Sequence, residues 1–384
     1  MPKEIVLSFY SNRLNIHQAP VADELFKLLE GNFHFVEICP PNIQSTKGSN
    51  EDFSTRPYLV QAWKNEENHL KARKLAVESD VAVFGAESLS YEVLRMKTSE
   101  KLAFEMSERW LKRGLLNLLS PRLIRYQWYY HTCFYNKPLY KLCAGAYSAN
   151  DQYLMHSFKK RCYKWGYFTK VDRSFSPNDN SHAEDVVRMM WCARFLKLKH
   201  PEIVVLLADR LKKRGVHFIV DMYGDGPVLE QMKVLAKKVD VSDVVAFHGA
   251  IPNDQVLKAM REHDIFLFTS DRNEGWGAVA NEAMSNGCLL VASDAIGSTP
   301  YLVDHRVTGC VFQSENVDSL ESEILWLIDN REEMARIREK SYDVFSKFWT
   351  PEHAALSLLQ LIDCLMNGEE TNIELGPCSK AIPC

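Results

Sequence analysis

Residues 264–293 read DIFLFTSDRNEGWGAVANEAMSNGCLLVAS. Both ends are short apolar runs, DIFLFTS and LLVAS, with no polar alternation, as expected of strands covered on both faces. Between them lie a turn carrying Gly275 and Gly277 and a helical pattern that begins near Gly277. Helical spacing puts Val279, Ala280, Ala283 and Met284 on one face, and Ala278, Asn281, Glu282 and Ser285 on the other. Strand, helix and strand of these lengths make the unit that joins neighbouring parallel strands, so the stretch selects an α/β fold.

The same alternation extends in both directions. RMMWCARF, HFIVDMYG, VVAFHG and GCVF repeat it in the second half, and EIVLSFY, FHFVEIC, DVAVFG and KLAFEM in the first. APVADELFKLLEGN reads as an amphipathic helix ending near Gly31, and 317–348 as helical. Asp172 to Asp185 is polar and turn-rich, the best linker in the chain. The expected architecture is two Rossmann-like doubly wound domains facing a central cleft, with ligands at the carboxyl ends of strands. The boundaries are 1–171 for an acceptor-side N-terminal domain, 172–185 for the linker and 186–348 for a C-terminal domain. A helix over 349–368 has the option of crossing back to the N-terminal domain, and 369–384 is an aperiodic tail.

Composition is that of an ordinary globular chain, 46% hydrophobic and 25% charged over 384 residues. The net charge of −4 hides an asymmetry: residues 1–170 hold 24 Lys+Arg against 17 Asp+Glu, and the rest 22 against 33. Ten scattered cysteines form no CxxC pair, which fits reduced thiols better than a disulfide framework or a zinc site. MPKEIVLSFY enters a strand pattern without a leader, and no uncharged run reaches the ~18–20 residues of a membrane span. The expected location is cytoplasmic.

Residues 109–150 contain no Asp or Glu. Arg109, Lys112, Arg113, Arg122, Arg125, Lys137 and Lys141 alternate there with leucines and with Trp110, Trp128, Tyr129 and Tyr130. Over 109–141 this pattern suits an anionic membrane surface, so a peripheral position on the inner face of the cytoplasmic membrane is an open reading. A domain face with solvated lysines explains it equally well. A single-stranded nucleic-acid groove ranks below both, since no RNA-binding motif accompanies it, and no nucleic-acid partner is expected.

Glu274 sits on the turn after DIFLFTS, and Glu282 one helical turn above the glycines. Open backbone N–H groups between two carboxylates would suit a phosphate flanked by hydroxyl-bearing groups. The plainer reading is that Glu274 complements a helix dipole and Glu282 is solvated.

EGWGAVANE resembles the E-x7-E motif of retaining GT-B glycosyltransferases of the group 1 (family 4) class. ARFLKLKHPEIVVLLADRL, MYGDGPVLEQM, FHGAIPNDQVLKAM and LLVASDAIGSTPYLVDHRVTGCVF resemble that class's other motifs, in order, from Val187 to Phe312. The resemblance implies a GT-B fold and transfer of a sugar from a nucleotide-diphosphate sugar to a carbohydrate or glycolipid acceptor, such as a lipid-linked polysaccharide. Glu274, Arg194 and Lys199 would be catalytic, the two cations neutralising the diphosphate. Gly275, Trp276, Gly277 and Ala278 would line the donor site, with Glu282 on the ribose, Gly224 near the donor, and His248 and Ile251 near the base. Trp276 fits a sugar-pocket wall or a packed core equally. Retention by front-face substitution is expected, and without a D-x-D motif no metal or other cofactor is demanded.

The chain also departs from the class. Pro300 and Tyr301 stand where a PE pair is usual, and YSNRLNIHQAP lacks the glycine-rich loop after the first strand. Asn15, His17 and Gln18 are then the acceptor-side candidates, joined by Glu105 or Glu108 in place of a histidine. For Glu108 an ion pair with nearby basic residues is the alternative. Other roles on the same architecture are a nucleotide-sugar epimerase, a phosphorylase, or a non-catalytic nucleotide-sugar-binding protein.

Overall fold

The computed structural model describes residues 5–41, 51–112, 114–172, 174–177 and 186–384. Most of the expected linker, and Arg113 of the basic segment, lie outside the described residues. The chain divides into two compact units, residues 1–170 with 348–384 and residues 171–347.

Unit 1 is built on seven strands: β1 (Leu7–Ser11), β2 (Phe33–Glu37), β3 (Leu59–Gln61), β4 (Val81–Phe84), β5 (Ala103–Ser107), β6 (Leu139–Ala144) and β7 (Cys162–Trp165). They pair in parallel in the order β3-β2-β1-β4-β5-β6-β7. The crossovers carry α1 (Ala19–Leu28), α2 (Glu66–Glu78), α3 (Leu89–Thr98), α4 (Pro121–Gln127) and α5 (Ala146–Leu154). Arg95, fully buried on α3, donates to the carbonyls of Ala76, Ser79, Asp80 and Leu102, satisfying the end of α2 and the strand entries beside it.

Unit 2 has six parallel strands: β8 (Val187–Cys192), β9 (Phe218–Tyr223), β10 (Val245–Gly249), β11 (Ile265–Phe268), β12 (Leu289–Ser293) and β13 (Cys310–Phe312), ordered β10-β9-β8-β11-β12-β13. Its helices are α6 (Pro201–Lys213), α7 (Leu229–Lys238), α8 (Asn253–Arg261), α9 (Val279–Ser285), α10 (Thr299–Leu302), α11 (Val317–Asp329) and α12 (Arg331–Phe348). The helical stretch 317–348 is thus two helices, broken at Asn330. Alternate strand residues Val187, Met189, Val220, Ile265, Leu267 and Leu289 share one core. Met190, Phe266, Phe268 and Leu290, one residue out of phase, are buried as well. Burial on both faces is why these strands read as unbroken apolar runs.

Helix α13 (Pro351–Met366) belongs to unit 1, where it packs on α1. In both units the strand order runs outward from the first strand and then reverses past it, the Rossmann arrangement. A crevice therefore opens at the carboxyl ends of β1 and β4 in one unit and of β8 and β11 in the other.

The β9–α7 turn is laid tightly across the chain leaving β8. Gly224 has φ +124°, and a Cβ there would lie 1.9 Å from the carbonyl oxygen of Ala193. Gly224→Ala should therefore lower stability in urea by at least ~2 kcal/mol. An unchanged unfolding midpoint would mean that this crossing is not what shapes the β8 loop.

Candidate functional site

At the reversal in unit 2, the chain leaving β8 runs through Arg194 and Lys199 before α6, and the chain leaving β11 runs through Ser270 and Glu274 before α9. The two loops are tied together. The Asp271 N–H donates to the Leu198 carbonyl over 2.9 Å, and the Thr269 hydroxyl to the Lys199 carbonyl over 2.6 Å. The Trp191 indole N–H in turn donates to Thr269 Oγ1 over 3.0 Å. Phe195, wholly buried against Trp191, anchors the first loop, while its neighbour Arg194 is exposed with no carboxylate partner among the described residues.

Lys199 Nζ is ion-paired with Glu274 Oε2, which also accepts from Ser270 Oγ over 3.2 Å. Sequence reasoning put these two residues on different parts of a ligand; the fold brings them into direct contact. Each side chain is only about one-sixth exposed, at 16% and 15%. His200, held in a left-handed conformation (φ +48°), reaches Glu202 and Asp271 and fixes the end of the same loop. The bond to Glu202 raises the histidine's pKa above its ordinary value and favours imidazolium there.

After Glu274 the chain turns against Phe268 at the end of β11. Gly277 has φ +77°, and a Cβ there would lie 2.2 Å from Phe268 Cζ, so the turn closes only with glycine. The N–H groups of Gly275, Gly277, Ala278 and Val279 donate to no acceptor among the described residues. Such free N–H groups are what an anion recruits. Trp276 is completely buried and donates through its indole N–H to Asn281 Oδ1 over 2.8 Å. It is a support under the turn and presents no face as a pocket wall.

Glu282 is not on a solvated face. Helix α9 is buried on all sides from Ala280 to Ser285, and Glu282 is 8% exposed. Burial raises its pKa to about 7, opposed only by a hydrogen bond with Asn253 at the start of α8. Its charge is felt by Cys192 at the end of β8, so it stands beside the same reversal. His248 is engaged elsewhere, with Asp221 and stacked on Tyr223 at 4.6 Å, and Asp221 also binds His263 at 2.9 Å. None of these contacts involves Arg194, Lys199 or Glu274. Ile251 is half-buried just after β10.

The reversal in unit 1 holds a cavity of about 450 Å³ lined by Asn15, Gln18, Glu105 and Glu108, with Arg122 and Arg125 among its other walls. Asn15 Nδ2 donates to Gln18 Oε1, and Gln18 Nε2 to Ser11 Oγ. His17 does not line it; its ring packs near Tyr167. Glu108 is bound by Lys112 at 2.7 Å and by the Tyr167 hydroxyl at 3.0 Å, the ion-pair alternative for that residue. Glu105 pairs with Lys141, whose ammonium is fully buried over the Trp110 ring. Sequence reasoning missed Glu92, on α3, because a lone Glu in a charged helix carries no motif. It lines the same cavity, and burial and the nearby Glu105 charge hold its carboxyl well above the ordinary range. Its Oε2 accepts from the Tyr130 hydroxyl over 2.9 Å, while Oε1 is buried without a partner.

The basic segment divides by side chain. Trp110, Leu111, Leu123, Tyr130 and Phe134 are buried in the core of unit 1. Leu115, Leu116, Leu119, Ile124 and Trp128 are exposed, Leu116 at 83%, beside Arg122 and Arg125. No helix among the described residues is long and apolar enough to cross a membrane.

Residues 172–344 match the family model of Glycosyl transferases group 1. The chain is 26% identical over 146 residues to a GDP-mannose-dependent alpha-(1-6)-phosphatidylinositol monomannoside mannosyltransferase of Mycobacterium tuberculosis, covering 36% of this chain and 38% of that protein. The match thus spans about two-fifths of the relative's length. Among solved structures, Anabaena Alr3699/HepE in complex with UDP superposes with a TM-score of 0.68 at 14% identity, over 93% of this chain and 99% of that one. WaaG, a glycosyltransferase involved in lipopolysaccharide biosynthesis, does so with 0.60 at 15% identity, over 91% and 98%. The fold is GT-B, two Rossmann-like domains.

Because Glu282 has a raised pKa, the folded chain binds more protons than the unfolded chain between about pH 4.5 and 7. Its contribution to stability is therefore full below the lower value and lost as pH rises through the upper one. The loss is on the order of 3 kcal/mol, roughly 5–10 °C in the melting midpoint. Glu282→Gln should flatten that decline between pH 5 and 8 in a thermal scan. Equal slopes in the two proteins would show that Glu282 ionises as freely as in water.

Proposed function

We propose that this chain, whose residues 172–344 are a group 1 glycosyl transferase domain, moves a sugar from a nucleotide-diphosphate sugar to a carbohydrate acceptor with retention at the anomeric carbon. The observation that carries the reading is the contact of Lys199 with Glu274 at the strand-order reversal, beside the N–H groups of Gly275, Gly277, Ala278 and Val279, which donate to no acceptor among the described residues, and beside the exposed Arg194. A diphosphate set on those N–H groups would meet Arg194 and Lys199, whose fixed charges stabilise the leaving group most as its bond breaks. Among the described residues both side-chain contacts of Glu274 fall on Oε2, leaving Oε1 for a donor-sugar hydroxyl. Glu282, buried and held short of charge partners, would accept from the ribose hydroxyls once ionised.

In the transfer step the bond between C1 and the phosphate oxygen breaks, and a bond between C1 and the acceptor oxygen forms on the same face. The acceptor proton passes to the departing phosphate oxygen. No protein base is required, so this chain's residues bind, orient and neutralise.

For the acceptor, the cavity of unit 1 offers amide and carboxyl groups suited to sugar hydroxyls, with Arg122 and Arg125 on its walls. The exposed leucines and Trp128 beside those arginines support a lipid-linked acceptor taken from an anionic membrane surface.

Three measurements test the reading. At least one among UDP-, GDP-, ADP- and CMP-sugars should raise the melting midpoint, and protection by none would sink the donor assignment. With the effective donor, Glu274→Gln and Lys199→Ala should each lower kcat/KM for transfer by about 10²-fold or more. A protein that binds donor yet makes no product with any glycan or glycolipid acceptor would be a binding protein instead. Liposome flotation should show preference for anionic over neutral vesicles, reduced in Leu116→Ser/Trp128→Ser; no preference removes the membrane part.

A further inference from the structure

The last residues of the chain build a second site in unit 1, apart from the cavity at the strand reversal. Cys378 N–H donates to the Lys164 carbonyl over 2.7 Å, Lys164 N–H to Ser379 over 2.8 Å, and Ala381 N–H to Cys162 over 3.0 Å. Lys380 bridges Tyr163 in antiparallel register, so the tail runs as an added strand along β7. Beyond it, the Asn150 amide holds the backbone of Cys384 through two bonds of 2.9 Å. Between this tail and the α5–β7 connection lies a hollow of about 510 Å³. That is within the range of small-ligand cavities.

Its walls are mostly apolar: Ala149, Tyr153, Phe158, Cys162, Ala381 and Ile382. Tyr153 and Ile382 are 69% and 72% exposed, a large apolar surface to leave in water. The rim is cationic. Lys159 and Lys160 are exposed with no carboxylate partner among the described residues, Lys380 stands across from them, and Glu370 is the one carboxylate in the lining. The loop that presents the lysines is strained, with His156, Phe158 and Lys160 all left-handed at φ +52°, +48° and +59°. Strain of that kind persists where surrounding structure over-determines it, often at ligand sites. On the wall, Gln152 is 1% exposed; its Oε1 accepts from Ser157 Oγ, but its Nε2 is buried without a partner. Lys159 and Lys160 also line a neighbouring aromatic hollow of about 310 Å³ with Tyr130, Phe134 and Tyr135, so the two ammonium groups stand between two greasy surfaces.

Apolar walls and a cationic rim select an amphiphile of one sign. We infer that the tail-walled hollow of unit 1 binds one anionic lipid, its acyl chain against Tyr153, Phe158 and Ile382 and its phosphate at Lys159 and Lys160. The site is independent of the sugar-transfer reading, since it uses none of the residues placed at either strand reversal.

The test is calorimetric titration of the full chain with monomeric dodecyl phosphate, kept below its micelle threshold. One molecule should bind per chain, and dodecyltrimethylammonium should bind at least about tenfold more weakly. Lys159→Glu/Lys160→Glu, a purely surface change, should cost tenfold or more in dodecyl phosphate affinity, and Ala381→Trp, which fills the hollow, should do likewise. Leu116→Ser/Trp128→Ser should leave it unchanged. Equal affinity for the two amphiphiles, or insensitivity to the lysine reversal, would overturn the proposal. So would loss of binding in the Leu116/Trp128 variant, which would move the ligand to the leucine patch. A dimer in sedimentation velocity that the lysine reversal dissolves would assign the hollow to a second copy of the chain, with the same result. Nucleotide-sugar protection should be identical in all these variants, so failure here leaves the donor site untouched.

Discussion

Strands β8 and β11 are neighbours in the sheet, yet the chain reaches them from opposite directions of strand addition. The loops that follow them consequently part to opposite faces, and the space between them cannot be filled by a crossover. Everything assembled there follows from that constraint: Arg194 and Lys199 come from one loop, Ser270 and Glu274 from the other, and Lys199 reaches Glu274 because the strands are hydrogen-bonded neighbours. The two glycines serve the same geometry. Gly224 lets the β9 turn lie on the β8 loop, and Gly277 lets the β11 turn pass Phe268. Unit 1 repeats the constraint with different side chains and gathers carboxyls, amides and arginines where unit 2 gathers cations and bare N–H groups.

Buried charge is handled in two ways. Lys141 is enclosed with Glu105, Ser107 and the Trp110 ring, so its ammonium is paired and hydrogen-bonded. Burial first, and then the nearby Glu105 charge, hold the Glu92 carboxyl well above the ordinary range beside Tyr130. Glu282 has no cation partner among the described residues, and its burial raises its pKa against the opposing hydrogen bond with Asn253. Both carboxyls are poised to respond to whatever donors or charges enter beside them, since their present environment favours the proton.

Much of this was legible in the sequence where physics is local. Apolar runs without alternation gave the parallel strands, and the glycines at 275 and 277 marked the turn. The end of DIFLFTS then placed Glu274 on that turn, while Arg194 and Lys199 entered through the family resemblance. Properties set by tertiary enclosure were not legible. Helical phase put Glu282 on a cleft-facing or solvent-facing side, but a seven-residue helix wrapped by its own domain leaves that side buried. Trp276 could be read as lining or as core from sequence and is packed under the turn; His248, set near the base by the resemblance, is held by Asp221. Glu92 and the pairing of the tail with β7 depend on contacts between segments far apart in the chain, for which no periodicity exists.

Helix α13 lies against α1, more than 300 residues earlier in the chain, and both belong to unit 1. Unit 2 is thus an insertion into unit 1, and only unit 2 is contiguous. On a ribosome, unit 2 can complete its sheet while unit 1 still waits for residues 348–384. During that interval α1 lacks the helix that packs on it in the folded unit. The order of synthesis therefore makes the middle of the chain the first independent folding unit and leaves its earliest helix exposed longest, a period in which chaperone capture or misassembly would act on α1.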